Sequence, residues 1–437
     1  MTDPQAAPGR KLGVVAATAL VMGTMIGSGV FLLPASLAPF GWNAVGGWVL
    51  TIAGALVLAK LLADLTRHHF GQGNTTAFVR SAFGPVPEFL VAWAYLISNW
   101  VGIVGVAVAA VSYLSSRVPA VAATTTSTIL SVLGIVWAIT LVNLKSVRAG
   151  GNLQVVALGI KAIPLLVVVV LAVAVTAGGK ADLPPFDAGE ISVSAVNGAA
   201  VLTLWALLGF ECASLAARQC EDPERNVPRA TLWGAAFTGL LYLVVCSAIA
   251  LLLPADVAAS SPAPFATFVE RYWSPAPATW IALFAMVSCL GALNGTILIT
   301  GELTRSMAED GLLPRWLCGT DTAGTPRRAL LVSGLISSVF VLVNAGGGTQ
   351  KLFEYLILLS TSSTLWLYLA CALAALRLGV SPALAVVGTL YALWALWGAD
   401  LKASGLSLVL MVAGLPIYWW ARRERAVNTI GDGYSAG

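Results

Sequence analysis

The chain has 437 residues, of which 58% are hydrophobic and only 10% charged, with a mean hydropathy of +0.87 and a formal net charge of +4. So little charge excludes an ordinary soluble domain of this length and points to a polytopic membrane protein. The small positive balance follows from where loops carry Lys and Arg, and no basic run with interleaved aromatics suggests nucleic acid.

The N-terminal MTDPQAAPGRK is polar, and the apolar run after it is longer than the core of a cleavable signal peptide. It reads as a cytoplasmic tail over 1–11. At roughly 20 apolar residues per crossing, twelve spans are expected near 12–36, 43–64, 86–115, 121–143, 153–177, 194–217, 229–253, 277–304, 328–344, 352–377, 381–399 and 403–420, with a second tail over 421–437. Most of the 24 basic residues fall on the side assigned to the cytoplasm, which places both termini there.

Within the first span, VMGTMIGSGVF (21–31) sets Gly27 and Gly29 around Ser28 at mid-depth, with Pro34 a turn later. Gly23 and Gly27 also form a small-residue helix-packing face, which implies no ligand. The competing reading is an interrupted helix. Its unpaired N–H and C=O groups are tolerated in a bilayer only where they line a cavity and meet a ligand.

Trp42 and Trp48 mark the outer interface, and the polar segment GQGNTTAFVRSAFGP after the second span carries Phe78 and Phe83 at surface-helix spacing. His68 and His69 are solvated residues at a helix end. The third span holds Tyr95, Asn99 and Trp100, with Asn99 read as a helix–helix hydrogen bond.

Lys161 lies about eight residues into the fifth span, roughly 12 Å deep at 1.5 Å per residue. An ionisable group at that depth is a functional candidate, with a tie to backbone carbonyls as the structural alternative. The sixth span contains Gly209 and then Glu211, the one acidic residue clearly inside a span. Interruptions at the starts of two five-span halves are the best sequence pointer to a transporter with mid-membrane substrate, and this coincidence favours an interrupted first helix.

The eighth span, SCLGALNGTILITGE, carries small residues that allow close packing beside span one or room for a ligand. The tenth carries the hydroxyl run Ser360 to Thr364. The six cysteines form no CxxC pair, so neither a disulfide framework nor a metal site is expected. No cofactor is expected either.

Together the stretches GSGVFLLPASLA (27–38), FG (83–84), WALLGFECAS (205–214), DPERNVPRAT (222–231), EDGLLPRW (309–316) and AGTP (323–326) resemble the amino acid-polyamine-organocation transporters. The chain looks most like the bacterial arginine/agmatine antiporters and their basic amino acid/polyamine relatives. The resemblance implies an all-α, LeuT-like fold of five plus five inverted spans (12–177 and 194–377) and two more helices (381–420), often as a homodimer in the bacterial inner membrane. By position it implies that the break at Met25, Ile26, Gly27, Ser28 and Gly29 meets the substrate carboxylate. Carbonyls of Trp205, Ala206 and Leu208 would meet its amino group.

Trp205 would match the family's gating tryptophan, Glu211 the gate carboxylate and Tyr95 its tyrosine partner. Thr296 stands where the family's arginine-stacking tryptophan is found, Ile103 where it has a substrate-binding asparagine, and Ala370 near a second gate tyrosine. Lys161 resembles the lysine that takes the place of a sodium ion in other amino acid permeases. It implies sodium-independent transport, with Lys161 and Glu211 as the ionisable groups of the cycle. A sodium-independent permease for neutral amino acids therefore stands beside arginine/agmatine exchange. A membrane amino acid sensor would share the pocket, whereas an intramembrane enzyme would need paired catalytic groups that are not evident.

Overall fold

The structure is a computed structural model that describes residues 13–27, 29–68, 76–145, 147–181, 183–210, 221–321, 324–343 and 348–434. Among these the chain is helical with no strand. In the described residues the helices follow the expected spans in order. The first is split into α1 (Val14–Met25) and α2 (Gly29–Leu37), followed by α3 (Trp42–His68) and the short α4 (Ala77–Phe83). Then come α5 (Pro85–Ser115), α6 (Thr125–Lys145) and α7 (Val147–Ala177).

The second half opens with α8 (Val193–Leu207) and α9 (Pro223–Leu252), continues through the short α10 (Ala255–Ser260) and α11 (Pro264–Tyr272), and reaches α12 (Pro275–Glu309), α13 (Arg327–Val343) and α14 (Gly348–Leu378). Last come α15 (Pro382–Gly398), α16 (Leu401–Ala413) and α17 (Leu415–Tyr434). Among the described residues eight helical segments are long and apolar enough to cross a membrane, and α1, α2, α8 and α15 contain shorter apolar stretches. Each half thus starts on an interrupted or truncated helix and places short helices between its second and third spans.

Local chemistry explains several boundaries. Gly84 at φ +90° turns the chain into Pro85, which opens α5 where a missing N–H costs nothing. Pro34 inside α2 cannot donate to Val30 O, and the Cys246 Sγ–H points at that carbonyl from 3.7 Å instead. The last expected span is two helices, because the chain turns at Gly414. Its second part runs through Tyr434, so most of the expected 421–437 tail is helical.

Helix α5 is the enclosed centre, packed against α12 and α14. Around it α3 lies against α8 and α9, and α15 covers α3 and α14. The α3–α15 contact is tight: a Cβ on Gly54 would overlap the Tyr391 ring. Gly54→Ala is therefore expected to push the two helices apart at a cost of about 1–3 kcal/mol, read as a lower Tm of the detergent-solubilised protein. An unchanged Tm would mean that this contact is looser than the geometry shows.

Candidate functional site

Helix α1 ends because Ile26 leaves helical geometry (φ −68°, ψ 92°) after donating to Met22 O at 2.8 Å. Beyond it, Gly23 O and Met25 O have no helical donor and are met from neighbouring helices. Lys161 Nζ on α7 donates to Gly23 O at 3.1 Å, and the Tyr242 hydroxyl on α9 donates to Met25 O at 3.0 Å. The Tyr113 hydroxyl on α5 donates to Phe31 O at 2.8 Å, which anchors α2 beyond the break. Ser28 lies outside the described residues.

The second interruption follows α8. Leu208 N donates to Trp205 O at 3.2 Å, Leu208 is extended (φ −62°, ψ 148°), and Gly209 sits at φ +111°, where a side chain would be strained. Glu211, expected as gate and coupling carboxylate, lies outside the described residues.

Both interruptions open on one cavity of about 150 Å³. Met25, Gly27 and Gly29 line it from the first, and Trp205, Ala206, Leu208 and Gly209 from the second. Helix α5 contributes Tyr95, Ser98, Asn99, Gly102 and Val106, α12 contributes Ala292, Gly295, Thr296 and Ile299, α14 contributes Ser360 and Thr364, and α7 contributes Lys161. Small residues make this room. A Cβ on Gly29 would lie 3.0 Å from the Trp205 ring and 3.1 Å from Ala206 Cα, and one on Gly105 would lie 3.7 Å from the same ring. The indole is therefore held between Gly29 and Gly105, with Phe353 edge-on at 5.5 Å.

Of the residues expected from sequence, Met25, Gly27, Gly29, Trp205, Ala206, Leu208, Thr296, Tyr95 and Lys161 meet at this cavity. Ile26 and Ile103 are buried in the core and do not line it. Asn99, expected to bond across helices, donates to Tyr95 O on its own helix at 2.8 Å and borders the cavity. The residue missed is Ser98. Its Oγ lies 2.6 Å from Thr364 Oγ1 and 2.9 Å from Ser360 Oγ, and it donates to Ser360 O at 2.8 Å. The hydroxyl run on α14 was visible in the sequence, but a lone serine in an apolar span carries no signal for its partner on another helix.

Lys161 is 1% exposed, and no ion pair involves it among the described residues. No described carboxylate lines the cavity. The site thus offers helix-terminal N–H and C=O groups, neutral hydroxyl and amide side chains, one amine and one large aromatic.

Trp205→Leu is expected to slow exchange far more than it weakens binding, because a ring held between two glycines can close over a ligand and swing with the segment it follows. Equilibrium binding and counterflow rates on the same preparation check this. Equal loss in both would reduce Trp205 to a packing residue.

The amino acid permease family model matches residues 12–418. The cadaverine/lysine antiporter of Escherichia coli K12 is 28% identical over 445 aligned positions, 98% of each chain. The putrescine transporter PotE of Haemophilus influenzae is 26% identical over 431 positions, covering 94% of this chain and 97% of its own, and that of Escherichia coli K12 is 26% identical over the same length.

Proposed function

The chain belongs to the amino acid permease family, and from that premise we propose that it exchanges amino acids or the amines formed by their decarboxylation. Membership makes it a multi-pass membrane transporter of the amino acid-polyamine-organocation superfamily. Within that class, the proposed cycle is alternating access around a ligand held between the two interruptions, with both termini on the cytoplasmic side.

The observation that carries the reading is the shared opening of the two breaks on one cavity. The first turn of α2 has N–H groups without intrahelical acceptors, and Gly29 lets a ligand approach them. The last carbonyls of α8, exposed where Leu208 and Gly209 leave the helix, are acceptors for an ammonium. An α-amino acid carries both complements on one carbon, so it fits across the gap with its carboxylate on α2 and its amino group on α8. Its side chain then meets Ser98, Asn99, Thr296 and Ser360.

The relatives named for cadaverine, lysine and putrescine support a basic amino acid and its amine as the exchanged pair, whether lysine with cadaverine or arginine with agmatine. A second reading, a sodium-independent permease for neutral amino acids, is favoured by the buried cation Lys161 and by the absence of a carboxylate from the described lining. Proteoliposomes loaded with unlabelled lysine, arginine, cadaverine, agmatine, putrescine or leucine decide between them. Counterflow of labelled lysine or arginine against an amine supports exchange of the pair, and counterflow restricted to leucine-like solutes supports the neutral permease. If the reconstituted protein moves none of them, the proposal fails.

A further inference from the structure

A carboxylate that the cavity does not use sits at the start of α5. Glu88 is 3% exposed, and its Oε2 accepts no hydrogen bond. The cation near it is Arg80 of α4, whose Nη1 stands 3.7 Å from Oε2, too far for a hydrogen bond, and whose side chain is 57% exposed. The other charged group whose field reaches it is Asp310, just beyond α12, which is repulsive.

Burying a carboxylate is costly unless good geometry and hydrogen bonds compensate. Here one solvent-exposed guanidinium, out of hydrogen-bond range, leaves that compensation incomplete. As a structural tie the arrangement is poor. It leaves Oε2 open to a cation richer in donors.

Its position on the helix says which cation. At about 100° per residue, Tyr95, Asn99, Gly102 and Val106 lie 7, 11, 14 and 18 positions beyond Glu88, all within roughly 40° of its direction on the helix. These four residues line the cavity. Glu88 therefore continues the cavity-facing stripe of α5, about 10 Å below Tyr95 at 1.5 Å per residue. It lies at the end of the bundle where Phe89 stacks on Tyr418 of α17 and Arg425 caps α12, the cytoplasmic end in the proposed orientation.

We infer that Glu88 is a staging site for the alkylammonium group of a basic amino acid or diamine on its way between the cavity and the cytoplasm, with Arg80 as the resident cation that the substrate displaces. The inference rests on the proposed transport of amino acids and amines, and adds to it a charge-selecting residue outside the central cavity. An ammonium brings three donors and a compact charge to Oε2, which accepts no hydrogen bond from Arg80. Arg80 already reaches solvent and so moves away at little cost.

The test uses initial rates of lysine, cadaverine and leucine transport at pH 8 in membrane vesicles of both orientations holding the full-length protein. Glu88→Gln is expected to raise the KM of lysine and cadaverine from the cytoplasmic face by about tenfold. The lysine-to-leucine ratio of kcat/KM then falls by the same factor, with less than about twofold change from the opposite face. Glu88→Asp keeps the charge and restores the ratio. Arg80→Gln is expected to act in the opposite sense and lower the KM of both cations.

A structural ion pair would make the two neutralising variants alike. If Glu88→Gln and Arg80→Gln move KM in the same direction, or if lysine and leucine change equally, the staging site is overturned while the transport reading stands. If the wild type carries neither amines nor amino acids, both fall.

Discussion

Gly27→Leu is expected to abolish exchange while the protein still folds. A Cβ on Gly27 would meet Ala292 Cβ at 3.4 Å, an ordinary contact, so the backbone accommodates the first carbon. The rest of a leucine side chain would then compete with a ligand for the cavity that Gly27 lines. Gly29 differs, because its Cβ would press on the Trp205 ring and on the Ala206 backbone at 3.0–3.1 Å, so even Gly29→Ala must displace α2 or α8. The pair separates occlusion from distortion. Gly27→Leu should lose at least about a hundredfold in counterflow rate, the scale of misplacing a reacting or binding group by an ångström, with a Tm near that of the wild type. Gly29→Ala should lose transport and Tm together. Wild-type counterflow in Gly27→Leu would place the ligand elsewhere.

That the two glycines differ could not be read from the chain alone. Gly27 and Gly29 are two residues apart in one motif, and nothing in VMGTMIGSGVF says which one Trp205 presses on. What is local was legible: apolar runs of bilayer length, the breaks beside Gly27 and Gly209, the short helix with Phe78 and Phe83, and the lone buried Lys161. Each follows from hydropathy, backbone permissiveness or the cost of burying a charge, which neighbours in sequence determine.

What depends on another helix was not legible. Ser98 becomes a cavity residue because α14 sets Ser360 and Thr364 against it, and Ile103, five residues further on, turns into the core. The separation of Ser98 from Thr364 is 266 residues, and no local pattern encodes it. The stripe from Glu88 through Tyr95 to Val106 was present in the sequence as a helical period, but its use as a wall of the cavity required the packing of α12 and α14 on α5.

The other large effect is expected at Lys161, and it concerns coupling. Gly23 O is a carbonyl of the last turn of α1, with no helical donor once the chain leaves the helix at Ile26. The ammonium of Lys161 meets it at 3.1 Å, at the negative end of the helix dipole, in a position 1% exposed. A sodium ion bound there would need that same carbonyl, and a fixed ammonium about 4 Å away would repel it by roughly 4 kcal/mol at an effective dielectric of 20.

Wild-type transport should therefore be the same in sodium and in potassium media. Lys161→Ala leaves Gly23 O buried without a donor, at about 1–3 kcal/mol, and opens a void. Lys161→Met keeps most of the volume and removes only the charge and the donor. Both are expected to reduce exchange at least about tenfold, as the end of α1 loses the group that holds it, and Lys161→Met should flatten the pH dependence of the residual rate. If Lys161→Met restores the rate that Lys161→Ala loses, the residue acts by filling space. If sodium stimulates the wild type, or Lys161→Met loses rate with an unaltered pH profile, the ammonium has no part in coupling and Lys161 is a tether between α7 and α1.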